Sequence, residues 1–201
     1  TDIAVCRDGS VVGYTMVTLA GDEITEALMR ACLVDYHTAE RIKMQLGKGA
    51  PISFEDVVGV EQSCSDEEIF SMIEPEVQRL ADEIARRVLE LNERPPSALF
   101  LAGGGSKLAG LSGRVADALQ MDRKRVAVAG RYFQNSACSD IQDLDDPEYT
   151  TPLGIAVSAG LGLISDSYRV VLNGKPAKLF RSGRVTVLEL LMMNGFTHSD
   201  L

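Results

Sequence analysis

With 201 residues, of which 45% are hydrophobic and 24% charged, the chain has room for one large domain, or one domain and a small companion, and buries enough surface to fold without disulfides or metal. Its 29 acidic and 20 basic residues leave a net charge of −9, with the Lys and Arg scattered, which argues against nucleic acid as a partner because phosphate binding needs a basic face. No apolar run has the length of a membrane span and no basic-then-apolar leader is present, while the four cysteines, Cys6, Cys32, Cys64 and Cys138, lack zinc-site spacing and read as reduced thiols of a cytosolic protein.

The chain starts at Thr1, without Met and inside what reads as a strand, so a longer parent polypeptide is expected. Thr1 to Arg7 and Val11 to Leu19 are rich in β-branched residues, and the Asp8-Gly9-Ser10 between them predicts a β-hairpin, with Gly13 marking a bulge in its second arm. Ala20-Gly21-Asp22-Glu23 then leads into a helix through Ala27, Leu28, Ala31 and Leu33, with Asp22 expected as its N-cap and Glu23 and Glu26 in its first turn. A second helix is predicted from Asp35 to Leu46, stopping at Gly47. Its apolar stripe is Ala39, Ile42 and Leu46, and His37 is expected to face solvent. Glu40 and Lys43 are three apart and share one face: they read either as a weak surface pair or as a carboxylate and an ammonium presented together to a polar ligand.

Pro51 to Gln62 suggests a short strand or two. Ser65-Asp66-Glu67-Glu68 is a capping box opening a long helix, with apolar residues at 69, 73, 77, 80, 84, 88 and 91, and Pro75 is expected to kink or split it. After Pro95-Pro96, an apolar run from Ala98 to Ala102 meets Gly103, Gly104 and Gly105, then Ser106 and Lys107, then a helical pattern carrying Leu108, Leu111, Val115 and Leu119. This strand, tight turn and helix offer bare backbone and a helix start, where a flat or anionic ligand can rest; turns like it also serve only to reverse the chain. The Walker pattern Gly-x4-Gly-Lys-Ser/Thr is missing, so the turn reads as a floor for a base and a sugar rather than a phosphate cradle.

Arg125 to Ala129 reads as another strand. The acidic cluster Asp140, Asp143, Asp145 and Asp146 lacks the register of a calcium loop and reads as a solvated loop. Thr150-Thr151-Pro152 opens a helix rich in small residues that is expected to lie tightly against something. A second hairpin follows around Asn173-Gly174, then a capping box at Thr186 to Glu189 opens a helix expected to end at Gly195. A boundary near Asp166 divides the chain into 1–165 and a partial α+β unit at 166–201.

In this order the pieces TDIAV, AGDEIT, AERIKMQLG, LAGGGSKLAGL and DPEYTTPLGIAVSAGL resemble the second half of the actin-like ATPase superfamily and, within it, the bacterial cell-division protein FtsA and its relatives, over residues 1–163. The fold this implies is α/β: subdomains 2A and 2B of the actin-like, ribonuclease H-like ATPase fold, followed by the start of a small β-grasp-like α+β module. The resemblance implies that Gly103, Gly104 and Gly105 press against the adenosine of ATP, with Ser106 and Lys107 at the edge of the adenine pocket. It further implies that Glu40 and Lys43 bond the ribose hydroxyls, that Met44 flanks the base, and that Gly21, Asp22 and Thr1 lie nearer the phosphates and their Mg²⁺.

The glycines expected before Thr1 and the first half of the fold are not in this sequence, so it is expected not to hydrolyse ATP alone; it reads as half of a clamp. The implied function is ATP acting as a switch for assembly and for recruiting division or assembly proteins, with self-polymerisation. The implied location is cytoplasmic, at the inner face of the membrane only through parts outside this sequence. A PilM-like pilus scaffold, a chaperone or reactivase of the same superfamily, and a structural interaction module without nucleotide binding are the alternatives. An acyl-dehydratase activator would need clustered cysteines, and these are dispersed.

Overall fold

Alternation of apolar and polar residues builds the first element. In the computed structural model, which describes residues 1–7, 10–130, 138–140, 144–160, 170–172, 174–177 and 185–193, strands β1 (Asp2–Arg7) and β2 (Ser10–Met16) pair antiparallel. Their register slips between Val5 and Cys6, which face Gly13 and Val11, so Val12 is the extra residue of a bulge beside Gly13. A Cβ at Gly13 would stand 2.6 Å from Leu91 Cδ1, so any larger residue there would have to push the end of that side chain aside. The Asp8-Gly9 turn lies outside the described residues.

Helix α1 (Gly21–Cys32) starts two residues earlier than the sequence suggests, with Ala20 at the N-cap. Asp22 is therefore not the cap: Glu23 reaches back to accept the Ala20 N–H at 2.7 Å, and Asp22 sits exposed in the first turn, where its charge complements the helix dipole. Helix α2 (Tyr36–Gln45) is capped by Asp35, whose carboxylate accepts the Thr38 N–H at 2.8 Å, and beyond it Gly47 takes φ +82. Ile24, Ala27 and Leu28 of α1 and Ala39 and Ile42 of α2 are buried in one core. Strands β3 (Ile52–Glu55) and β4 (Glu61–Cys64) form an antiparallel hairpin that adds Ile52 and Phe54 to that core.

The spine is α3 (Asp66–Asn92), 27 residues long, its capping box made by Ser65 and Glu68 in both directions. Of the kink or split expected at Pro75, the split does not occur: the helix runs on through the proline. Proline removes one intrahelical bond at a cost of about 3 kcal/mol. That loss is outweighed because Ile69, Ile73, Val77 and Leu80 are buried on both sides of Pro75, which itself faces solvent. α3 packs against α1, against both strands of the first hairpin, and against α4 (Leu111–Ala118).

β5 (Leu99–Leu101) and β6 (Val126–Val128) pair in parallel, joined by a crossover through the glycine turn and α4. Each of the four sheets among the described residues has two strands. α5 (Thr150–Gly160) follows, but none of its described residues is buried and Ile155 is 59% exposed, so the tight seat expected of this helix is not seen. Toward the C-terminus, β7 (Val170–Leu172) and β8 (Lys175–Ala177) pair antiparallel around Gly174 at φ +78. α6 (Val187–Met193) opens with the expected capping box, Thr186 N–H donating to Glu189 and Glu189 N–H to Thr186 Oγ1. The boundary near 166 and the helix end at Gly195 lie outside the described residues.

Candidate functional site

The side chain that organises the site has one sequence signal, its spacing from Gly21. Thr25, fully buried on the first turns of α1, places its hydroxyl 3.0 Å from the Gly21 carbonyl and against the Glu40 carboxylate of α2. Lys43, one turn beyond Glu40, completes the trio. Its ammonium donates to Thr25 Oγ1 at 2.7 Å, to the Gly21 carbonyl at 3.2 Å and to Glu40 Oε1. An ammonium has three protons, and these three bonds use all of them. Glu40 and Lys43 are thus not a solvated surface pair, since their side chains are 31% and 19% exposed and they bolt α2 to the start of α1. Only Oε1 of Glu40 is engaged in these bonds, which leaves Oε2 to accept from a ligand.

Burial pushes the Glu40 carboxyl up, but the hydrogen bonds from Lys43 and Thr25, with the Lys43 charge, outweigh it and hold the group below the usual glutamate value. A lowered folded-state value means that the charged trio stabilises the fold at neutral pH. That contribution is lost as pH falls from the ordinary glutamate range through the lowered one. The expected result is a stability gap between wild type and Glu40→Gln that is full at neutral pH and closes under acid conditions, read by chemical denaturation across pH.

The glycine turn differs from the simple strand-to-helix corner expected of it. A four-residue 3₁₀ turn (Gly104–Lys107) follows β5, and α4 starts only at Leu111 behind Gly110 at φ +77, so the helix N-terminus is displaced from the glycines. Gly103 is required by its own backbone, at φ +84, whereas nothing lies within 4 Å of a Cβ built on Gly105. Ser106 is buried and spends its hydroxyl within the turn, donating to the Gly103 carbonyl at 2.6 Å. Lys107 reaches out of the turn to Asp146 at 2.7 Å and Glu148 at 3.2 Å. The hydrogen bond to Asp146 is the main reason the Lys107 ammonium is held above its ordinary value, and the same bond holds the Asp146 carboxyl below its own.

These two assemblies face one cavity of about 1740 Å³. Thr1, Gly21, Glu40, Lys43 and Met44 line it from one side, and Gly104, Gly105, Ser106 and Lys107 from the other; Gly103 and Asp22 do not reach it. Thr1 stands at the corner between β1 and α1, its hydroxyl donating to the Leu19 carbonyl at 3.1 Å. Met44 is 65% exposed and offers a soft apolar surface. The volume exceeds the roughly 300–1,000 Å³ of most small-molecule pockets. Its remainder lies between the edges of β1 and β5, above Leu80, Ile84 and Val88 of α3. Chemically, the cavity offers the Glu40 oxygen left open by the trio and, elsewhere on its wall, the bare backbone at Gly105, which suits a ligand with hydroxyls and a flat ring. Sequence reasoning missed Thr25 and Glu148; the spacing of Thr25 four residues after Gly21 was the available signal for the first.

Among the described residues no three metal-ligating side chains come together. Asp146 instead caps the 3₁₀ turn Pro147–Tyr149, accepting the Glu148 N–H at 2.9 Å. No helix among the described residues is long and apolar enough to cross a membrane.

The family model for cell division protein FtsA matches residues 1–154. No curated protein matches the chain. Among solved structures the chain is similar to one described as the PilM-PilN type IV pilus biogenesis complex, at 23% identity and a TM-score of 0.55, covering 81% of this chain and 42% of that one. It is also similar to ethanolamine utilization protein EutJ from Carboxydothermus hydrogenoformans, at 20% identity and a TM-score of 0.53, covering 78% of this chain and 44% of that one. At such identities the likeness is one of fold: this chain carries part of the actin-like ATPase fold and spans less than half the length of these two structures.

Proposed function

This chain belongs to the cell division protein FtsA family, and from that premise we propose that the cavity between the Glu40–Lys43–Thr25 trio and the glycine turn binds a nucleotide, ATP with Mg²⁺. One observation carries the reading: α1 and α2 on one side, and the turn after β5 on the other, converge on a single cavity with complementary chemistry. The free carboxylate oxygen of Glu40 accepts from a ribose hydroxyl, Met44 and the open backbone at Gly105 flank the base, and the phosphates extend toward Thr1 and Gly21. Mg²⁺ would be held by the phosphates with groups from outside this chain. In its proposed role the nucleotide switches assembly: a ligand that bridges two walls favours the arrangement in which they are close, and that arrangement presents the surfaces for assembly partners or further copies.

Isothermal titration of ATP–Mg²⁺ into the full-length protein tests this. Saturable binding is expected, weakened at least about tenfold, or about 1.4 kcal/mol, by Gly105→Val, which fills the turn's open face. Absence of binding, or binding indifferent to Gly105→Val, would leave the glycine turn as architecture and the protein as a structural interaction module.

A further inference from the structure

The glycine turn is not bare along its whole length. A Cβ built on Gly104 would lie 3.0 Å from Glu148 Oε1, 3.5 Å from its Cγ and 3.6 Å from its Cδ, so the Glu148 side chain lies flat on the face of Gly104. Three contacts hold it there. Its Oε1 pairs with Lys107 of the same turn at 3.2 Å, Asp146 accepts the Glu148 N–H at 2.9 Å, and the Pro147 carbonyl accepts the Gly103 N–H at 2.9 Å. Gly105, one residue on, stays open, and Glu148 itself lines the cavity with its side chain 50% exposed. The turn therefore presents one open glycine, one glycine covered by a carboxylate, and an ammonium already engaged by two carboxylates.

We propose, building on the nucleotide reading above, that Glu148 is the specificity-determining residue of the glycine turn: it admits a neutral, flat, hydrogen-bond-accepting group that displaces it from Lys107, as a nucleobase does, and turns anionic groups away. A phosphate placed here meets the Glu148 and Asp146 carboxylates in a partly shielded site, where like charges repel more strongly than in water. A heteroaromatic ring brings no charge, accepts a hydrogen bond from the Lys107 ammonium at a ring nitrogen, and lies on the open backbone at Gly105. The base is thereby directed to this end of the cavity and the phosphates to the other.

The test uses the full-length protein labelled with ¹⁵N-glycine, wild type and Glu148→Gln, which keeps the side chain's size and removes its charge. Adenosine is expected to shift the Gly103 to Gly105 signals in both proteins and to bind Glu148→Gln about two- to fivefold more tightly, the range for releasing a half-exposed ion pair. Inorganic pyrophosphate is expected to shift these signals only in Glu148→Gln. Adenosine binding that is unchanged or weaker in Glu148→Gln, or pyrophosphate acting alike on both proteins, overturns the role of Glu148 alone. Adenosine that moves the glycine signals in neither protein overturns the nucleotide reading as well.

Discussion

Lys43→Met in the full-length protein is expected to bind ATP–Mg²⁺ at least about tenfold more weakly than wild type and to lose about 1–3 kcal/mol of stability, the cost of leaving buried polar partners unpaired. The substitution keeps the aliphatic stem and deletes the ammonium that Gly21, Thr25 and Glu40 share. Thr25 is fully buried and has no solvent to turn to, and the Glu40 carboxylate keeps its charge beside it. Adding Glu40→Gln removes that uncompensated charge. The double variant is therefore expected to regain most of the stability without regaining ligand affinity, because the neutral amide of Gln accepts from a ribose hydroxyl more weakly than the carboxylate it replaces. Calorimetric titration and denaturant unfolding on the same three proteins separate the two roles. Full affinity in Lys43→Met would reduce the trio to a clamp between α1 and α2.

Ile73→Ala is expected to have the largest purely structural effect, about 2–5 kcal/mol, through lost burial and the cavity left behind. For a protein of this size each kcal/mol lowers Tm by about 2–4 °C. Ile73 is completely buried on α3, two residues before Pro75, in the stretch where packing keeps the helix continuous despite the proline. Val58→Ala, at a residue 75% exposed between β3 and β4, is the control and is expected to stay within about 0.5 kcal/mol. An Ile73→Ala protein with unchanged Tm would show that α3 is not the spine of the domain.

Elements whose signals are local were legible in the sequence. The bulge at Gly13, the capping boxes at Ser65 and Thr186 and the buried stripe of α3 follow from side chains bonding or packing within a few residues of themselves. Expectations failed where a distant or flexible group decided the outcome. Glu23 took the capping role assigned to Asp22 by folding back on Ala20. Pro75 was overridden by residues packed across the core, and the helix after the glycines was delayed to Leu111 by the 3₁₀ turn.

The site shows the same division. Glu40 and Lys43 were picked out by their shared helix face, and the resemblance to the FtsA family gave them a ligand. Spacing could not distinguish a solvated pair from a buried one, because that depends on Thr25 and Gly21, which belong to another helix. Nor could it bring Glu148 onto Gly104, since 43 intervening residues separate them in the chain and only the fold closes that distance. What the sequence alone determined is the inventory of elements, the three glycines and the charged pair, since these are set by backbone preferences and short-range periodicity. What only the tertiary structure decided is which polar groups are already satisfied and which remain open to a ligand, because hydrogen-bond satisfaction and desolvation depend on groups that folding brings together from far apart in the chain.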